Sequence, residues 1–277
     1  MSRISEAIKY LLTQFVKHNP YDGIYSRNLK RHINKGERSR AIWEHHLYWN
    51  FGKRISTAIC KLLNKITWND MDDQLPHGSF VVVANHEKAI DPLYIGTTMW
   101  WKVAWLSKKK NFMTPFMKTI IGQMGAISLD EDKDGEPIMS QHTMDEIDRS
   151  IRRGHAIGVF PEGHRSKDGI LKPFKTGAAR LCLDYGIPYV PVAITGSRKP
   201  FKGSCHVNIG KPVYLRDDLE CTYSNAKAIA VDMRNQVQSL MNGDEQPPSQ
   251  FEIQPETRKV TPRYSYVFYE PSCTKSM

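Results

Sequence analysis

Two short segments are unusually rich in side chains able to do chemistry. The first is Asn85-His86-Glu87-Lys88-Ala89-Ile90-Asp91, directly after the apolar run Phe80–Ala84. The second is Phe160-Pro161-Glu162-Gly163-His164-Arg165-Ser166, at the end of the apolar run Ala156–Phe160. A turn between His86 and Asp91 would bring a carboxylate to an imidazole. The carboxylate would fix the tautomer and stabilise the imidazolium, leaving the other ring nitrogen as a base. A His–Asp pair without a side-chain nucleophile suits attack by a substrate hydroxyl on an activated acyl group, where general-base help is worth about 10²–10⁴-fold. If the leaving group is a thiolate, whose thiol has a pKa of roughly 8.5, no strong general acid is required. In the second segment Arg165 offers a planar, permanently charged fork for phosphate, and Gly163 lets a ligand approach the backbone. Plainer readings stand beside these. Asp91-Pro92 also reads as a helix start, with Asp as N-cap and Pro at the first helical position. Arg165 taken by its type alone is as readily half of a surface ion pair.

The surrounding pattern positions both segments. From Phe80 onward short apolar runs alternate with helical periodicity. Strands are predicted at Phe80–Ala84, Val103–Ser107, Ala126–Leu129, Ala156–Phe160, Tyr189–Ile194 and His206–Ile209. Helices are predicted from Asp91, over Phe112–Gly122, Pro137–Arg153, Thr176–Tyr185 and Ser224–Met241. This alternation predicts an α/β fold with a mostly parallel central sheet flanked by helices. Both reactive segments then fall at carboxyl ends of strands, where such folds keep their sites. Upstream, Trp43, Leu47, Phe51, Ile55, Ile59 and Leu63 recur every four residues, with Lys53, Arg54, Lys61 and Lys65 largely off that stripe. This N-terminal basic amphipathic helical segment suits a membrane interface, or equally a helix packed on the protein's own core. The division expected is a docking segment over 1–70, a catalytic domain over 71–242 and an irregular, Pro-containing tail over 243–277, with one strand at Tyr264–Tyr269.

The net charge of +10 is concentrated: residues 1–70 hold 13 Lys+Arg against 5 Asp+Glu. Such an excess suits an anionic membrane, an anionic substrate or nucleic acid. The longest stretch free of Asp, Glu, Lys and Arg runs only from Tyr185 to Ser197. A spanning helix needs about 20 apolar residues, so none is predicted, nor is a signal peptide. The five cysteines show no CxxC pair and read as free thiols in a reducing compartment. Of Trp100, Trp101 and Trp105, at least one is expected in the core.

Asn85-His86-x4-Asp91, then Phe160-Pro161-Glu162-Gly163-x-Arg165-Ser166, then Val190-Pro191-Val192, resembles the glycerolipid acyltransferases of the lysophosphatidic acid acyltransferase type. The resemblance runs from about Gly78 to Val213. It includes Lys108, the Gly125-Ala126-Ile127 turn, Phe174-Lys175 with Gly177, and Ile209-Gly210-Lys211-Pro212. It implies that His86 is the general base and that Asp91 orients it. It implies a substrate-binding set of Glu162, Gly163, Arg165, Ser166 and Lys108, with Arg165 on the acceptor's phosphate. It implies acyl-CoA or acyl carrier protein as co-substrate, no bound cofactor or metal, and a lysophospholipid acceptor, foremost 1-acylglycerol-3-phosphate, in phospholipid biosynthesis. It also implies a peripheral position on the cytoplasmic face of an anionic membrane. The sequence departs from the family pattern at two places. His164 stands where Thr is usual. Glu131 stands where an arginine often does, which leaves another lysolipid or a lipid alcohol open as acceptor. The readings from other classes are a non-catalytic lipid-binding relative and a nucleic-acid-binding module. The second would leave the His–Asp and Glu–Arg loops idle. No HxxEH, HxHxD or GxSxG pattern supports a metallohydrolase or a serine hydrolase.

Overall fold

The computed structural model describes residues 53–253, apart from 70, 72–73, 77, 100–101, 113–124, 134–136 and 199–202. The start of the N-terminal segment, the Phe112–Gly122 helix from its second residue to its end, Trp100, Trp101 and the Tyr264–Tyr269 strand lie outside these residues.

Eight strands form one sheet in the order β1-β8-β7-β2-β6-β3-β4-β5. They are β1 (Lys65–Trp68), β2 (Val81–Ala84), β3 (Val103–Lys108), β4 (Ile127–Glu131), β5 (Pro137–Ile138), β6 (Ala156–Val159), β7 (Tyr189–Thr195) and β8 (Ser204–Ile209). All neighbours run parallel except β7–β8 and β4–β5. The helices are α1 (Lys53–Leu63), α2 (Asp91–Thr98), α3 (Gln141–Arg152), α4 (Gly177–Tyr185) and α5 (Tyr223–Asn242). The predicted class holds: the central strands are fully buried Val/Ile/Ala runs, as parallel strands covered on both faces must be.

The two-residue period of β2 divides the core. Val81 and Val83 face a layer built with Ile147 and Ile151 of α3, Ala178 and Cys182 of α4, and Ile229 and Met233 of α5. Val82 and Ala84 face the layer holding Cys60 of α1, Tyr94 and Ile95 of α2, and Met99 just after it. Trp105 is core, as expected for one of the three tryptophans. It is paired across the sheet with Gly158.

Two expectations need correction. The N-terminal segment over 1–70 was expected to be helical, but α1 ends at Leu63 and β1 follows. Asn64 turns the chain, accepting from the Tyr94 hydroxyl at 2.6 Å and donating to the Gly203 carbonyl at 3.3 Å. Thr67 and its β-prone neighbours then pair with β8. The helix expected from Pro137 begins at Gln141, because Pro137 and Ile138 pair with β4 and Ser140 caps the helix through the Thr143 amide. The described start of the tail, residues 244–253, is irregular but tied down. The Gln246 side chain takes the Lys211 N–H at 2.5 Å and donates to its carbonyl at 3.1 Å, and Leu215 bridges to Glu252.

Gly158 is the tight point of the sheet: a Cβ there would lie 2.4 Å from Trp105 Cε3 and 2.7 Å from Val103 Cγ1. Gly158→Ala is expected to cost about 1–3 kcal/mol through overpacking. Urea unfolding followed by fluorescence should show a lower midpoint with an unchanged slope; an unmoved midpoint would contradict this packing.

Candidate active site

The carboxyl ends of the neighbouring parallel strands β2, β6 and β3 bring the two reactive segments and Lys108 to one edge of the sheet. Asn85 fixes where the first segment leaves β2. Its side chain donates to the Ile194 carbonyl and accepts from the Ile194 amide, each at 2.8 Å, so it mimics a ladder partner for β7.

Asp91 gathers the rest of that loop around one oxygen. Oδ2 accepts from His86 Nδ1 at 3.0 Å, from the Glu87 amide at 2.6 Å and from the Lys88 amide at 2.7 Å. The N-cap expectation is therefore corrected: Asp91 is the first residue of α2, and its carboxylate serves the loop before it rather than the helix after it. Because Oδ2 accepts, Nδ1 carries the ring proton and Nε2 presents a lone pair. Phe160 stacks on the imidazole, with centroids 4.0 Å apart and planes 15° apart. Trp105 stacks on Phe160 in turn, at 4.5 Å. The His86 side chain keeps 17% of its surface exposed while Asp91 keeps none. The ring is thus oriented from behind and open at its Nε2 side.

The second segment holds the backbone of His86. Glu162 Oε1 accepts from the His86 amide at 2.9 Å, and the Ser166 amide donates to the His86 carbonyl at 2.7 Å. The other oxygen of Glu162 accepts from the Lys172 amide at 3.0 Å. With both oxygens engaged and the residue buried, Glu162 ties loops together instead of facing an open cleft. Ser166 is buried too, with its hydroxyl 2.8 Å from Asp168 Oδ1 and accepting from the Gly169 amide at 2.9 Å. Gly163 has φ +74°, and a Cβ there would meet the Lys175 side chain at 3.2 Å. That conformation strains any residue with a side chain. Arg165 is exposed, and no described residue pairs with its guanidinium. Lys108 ends β3 at the same edge but does not join the His86 network.

Glu87, Ser197 and Arg198 belong to this site and were not singled out by sequence reasoning. Glu87 is buried beside His86. Its carboxylate lies 3.2 Å from Ser197 Oγ and 3.7 Å from Arg198 Nε. Burial pushes its carboxyl above the usual range; Asp91 and Glu162 act in the same direction, while Arg198 and Ser197 oppose them. Ser197 and Arg198 follow β7, about 110 residues later, so no local pattern connects them to Glu87. Cys60, Cys182 and Cys205 are free and buried; Cys221 is not among the free thiols. Burial pushes the Cys60 and Cys205 thiols up to about 12, so neither offers a thiolate near neutral pH. Among the described residues no cluster of three or more His, Cys, Asp or Glu is placed to hold a metal ion, and no helix is long and apolar enough to cross a membrane.

Residues 66–195, which span β1 to β7, match the family model described as acyltransferase. That stretch is similar to acyltransferases. Its relatives include the 1-acyl-sn-glycerol-3-phosphate acyltransferase BAT2, chloroplastic, of Brassica napus, 29% identical over 58% of this chain and 46% of the relative. The 1-acyl-sn-glycerol-3-phosphate acyltransferase of Borreliella burgdorferi is 27% identical over 52% of this chain and 56% of the relative. The chain thus spans about half the length of the curated relatives it matches. In fold, the chain resembles the crystal structure of the 1-acyl-sn-glycerophosphate acyltransferase PlsC from Thermotoga maritima. The TM-score is 0.53 at 19% identity, covering 86% of this chain and 97% of that one. The matched residues contain both reactive segments, so the His86–Asp91 pair and the Glu162 clamp lie inside the stretch that matches the family model.

The clamp predicts its own cost of removal. In Glu162→Gln the amide NH₂ must face either the His86 or the Lys172 N–H, leaving a buried donor unpaired. The expected loss is about 1–3 kcal/mol in denaturant unfolding. Wild-type stability would show that these two hydrogen bonds do not hold the loops.

Proposed function

We propose that this protein is an O-acyltransferase that moves a fatty acyl group from an acyl thioester, acyl-CoA or acyl carrier protein, to the free hydroxyl of a lysophospholipid, foremost 1-acylglycerol-3-phosphate. The observation that carries the reading is the His86–Asp91 pair, with Nδ1 committed to Asp91, inside the stretch that matches the acyltransferase family model. The names of the relatives supply the acceptor.

His86 Nε2 takes the proton of the acceptor hydroxyl as its oxygen attacks the thioester carbonyl. Asp91 stabilises the imidazolium that forms. The tetrahedral intermediate collapses, the C–S bond breaks, and the thiolate leaves with the proton held by His86. The products are the diacyl lipid and the free thiol. No acyl-enzyme is required. Arg165, exposed at the same edge, is suited to the acceptor's phosphate as a bidentate donor. Gly163 and Ser166 shape the turn that carries it, and Lys108 adds a cation to the rim.

The acid at position 131 does not weigh heavily against a phosphorylated acceptor. Glu131 ends β4, three strands from β2 and two from β6. At about 4.8 Å per strand that is about 14 Å and about 10 Å from the loops of His86 and Arg165. Salt screens exposed charges over about 8–10 Å. The neighbouring Asp130 is engaged by the Ser140 hydroxyl and by Lys109, which hold its carboxyl below the usual range.

The reading includes docking on an anionic membrane surface through the basic N-terminal region. Support within the described residues comes from Ile59, Leu62 and Trp68, all at least 40% exposed on α1 and the sheet's edge strand, with Lys61 and Lys65 alongside.

Two outcomes are expected. His86→Ala should lower acyl transfer to lysophosphatidate by about 10²–10⁴-fold while its unfolding transition stays intact; undiminished turnover would refute the general base. Leu62→Asp combined with Trp68→Asp should weaken sedimentation with phosphatidylglycerol vesicles but leave transfer to detergent-dispersed acceptor intact. Equal vesicle binding would remove this surface from the docking role.

A further inference from the structure

The turn that presents Arg165 is stiff within itself. The Gly169 amide donates to Ser166 Oγ at 2.9 Å, the Ile170 amide to Asp168 Oδ1 at 3.0 Å, and Lys172 to Asp168 Oδ2 at 2.8 Å. What decides the placement of Arg165 is how this rigid turn is fastened to the His86 loop. One fastening is the Ser166 amide on the His86 carbonyl, and a second is Glu162, which accepts from the His86 and Lys172 amides. A third comes from the residues that follow β7. Arg198 stands where its Nε faces the buried carboxylate of Glu87 at 3.7 Å, its Nη1 donates to the Lys167 carbonyl at 3.3 Å, and its Nη2 lies over Gly169. A Cβ on Gly169 would come within 2.3 Å of that Nη2, and Gly169 has φ +82°, so the turn is built to admit the guanidinium. Three carboxylates, those of Glu87, Asp91 and Glu162, are buried around His86. Asp91 Oδ2 and both oxygens of Glu162 accept N–H donors, while Glu87 faces Ser197 and Arg198.

We propose that Arg198 is a positioning residue: lodged between the Glu87 carboxylate and the Lys167–Gly169 backbone, it latches the Arg165 turn to the His86 loop and so sets how tightly an anionic acceptor is held. The effect on acceptor binding rests on the function proposed above; the latch itself rests on these contacts alone. An arginine is needed because one planar group must meet a carboxylate with one edge and a carbonyl with the other, which an ammonium cannot do.

The test pairs hydrogen exchange with kinetics on the full chain. In Arg198→Ala the amides of Gly169 and Ile170 should exchange about tenfold faster or more, with those of β2 and β6 unchanged. For lysophosphatidate, KM should rise about tenfold while kcat stays within about threefold, the sign of lost binding rather than lost chemistry. Glu87→Gln should shift KM in the same direction, and the double variant should be no worse than the more impaired single variant. Unchanged exchange in Arg198→Ala overturns the latch. Faster exchange with an unmoved KM, or with kcat falling instead, overturns its role in holding the acceptor. If the wild-type protein acylates no lysolipid, the proposed function fails, and the exchange result alone decides whether the latch exists.

Discussion

The site depends on a single buried oxygen. Asp91 Oδ2 lies out of water and accepts one imidazole and two main-chain N–H groups. A carboxylate cannot be buried without such compensation, since an unpaired buried charge costs several kcal/mol. The loop from His86 to Lys88 therefore wraps around it, and the angle of the imidazole follows from that wrapping. Loss of the carboxylate would remove both the orientation of the ring and the reason for the loop's shape.

A loop folded around its own carboxylate must still be placed against the sheet, and different side chains do this from different directions. Asn85 ties its start to β7, Glu162 and Ser166 hold the main chain of His86, and Phe160 supports the ring. Phe160 rests on Trp105, which lies over Gly158 in the middle of the sheet. Because close-packed interiors transmit displacements instead of absorbing them, a bulky substitution beneath Trp105 would reach the imidazole through two stacked rings. Glu162, implied by family resemblance as a contact to the acceptor, acts here through main-chain amides.

Much of this was legible in the sequence, and the remainder was hidden for identifiable reasons. The α/β class and the buried strands followed from short apolar runs alternating with helical periodicity. The pairing of His86 with Asp91 followed from their spacing. The role of Asp91 as a cap did not survive, because a carboxylate at a helix start can serve amides on either side, and the sequence does not say which. β1 was concealed because Ile66 continues the stripe of α1; only the burial of Asn64 against Tyr94 and Gly203 ends the helix. β5 is two residues long, too short for any period to register. Arg198 meets Glu87 only through the adjacency of β7 and β2, a long-range fact that local patterns do not contain.

The partner of β1 is β8, and the residues they pair lie 139 positions apart. During synthesis at about 5–20 residues per second, on the order of ten seconds pass between the two strands leaving the ribosome. For that interval the residues of α1 and β1 have no sheet edge to join, and Ile59, Leu62 and Trp68 stay exposed even after folding is complete. The beginning of the described chain is therefore the last part of the sheet to be closed. A nascent molecule would carry this basic, apolar stretch uncovered before its own core could claim it.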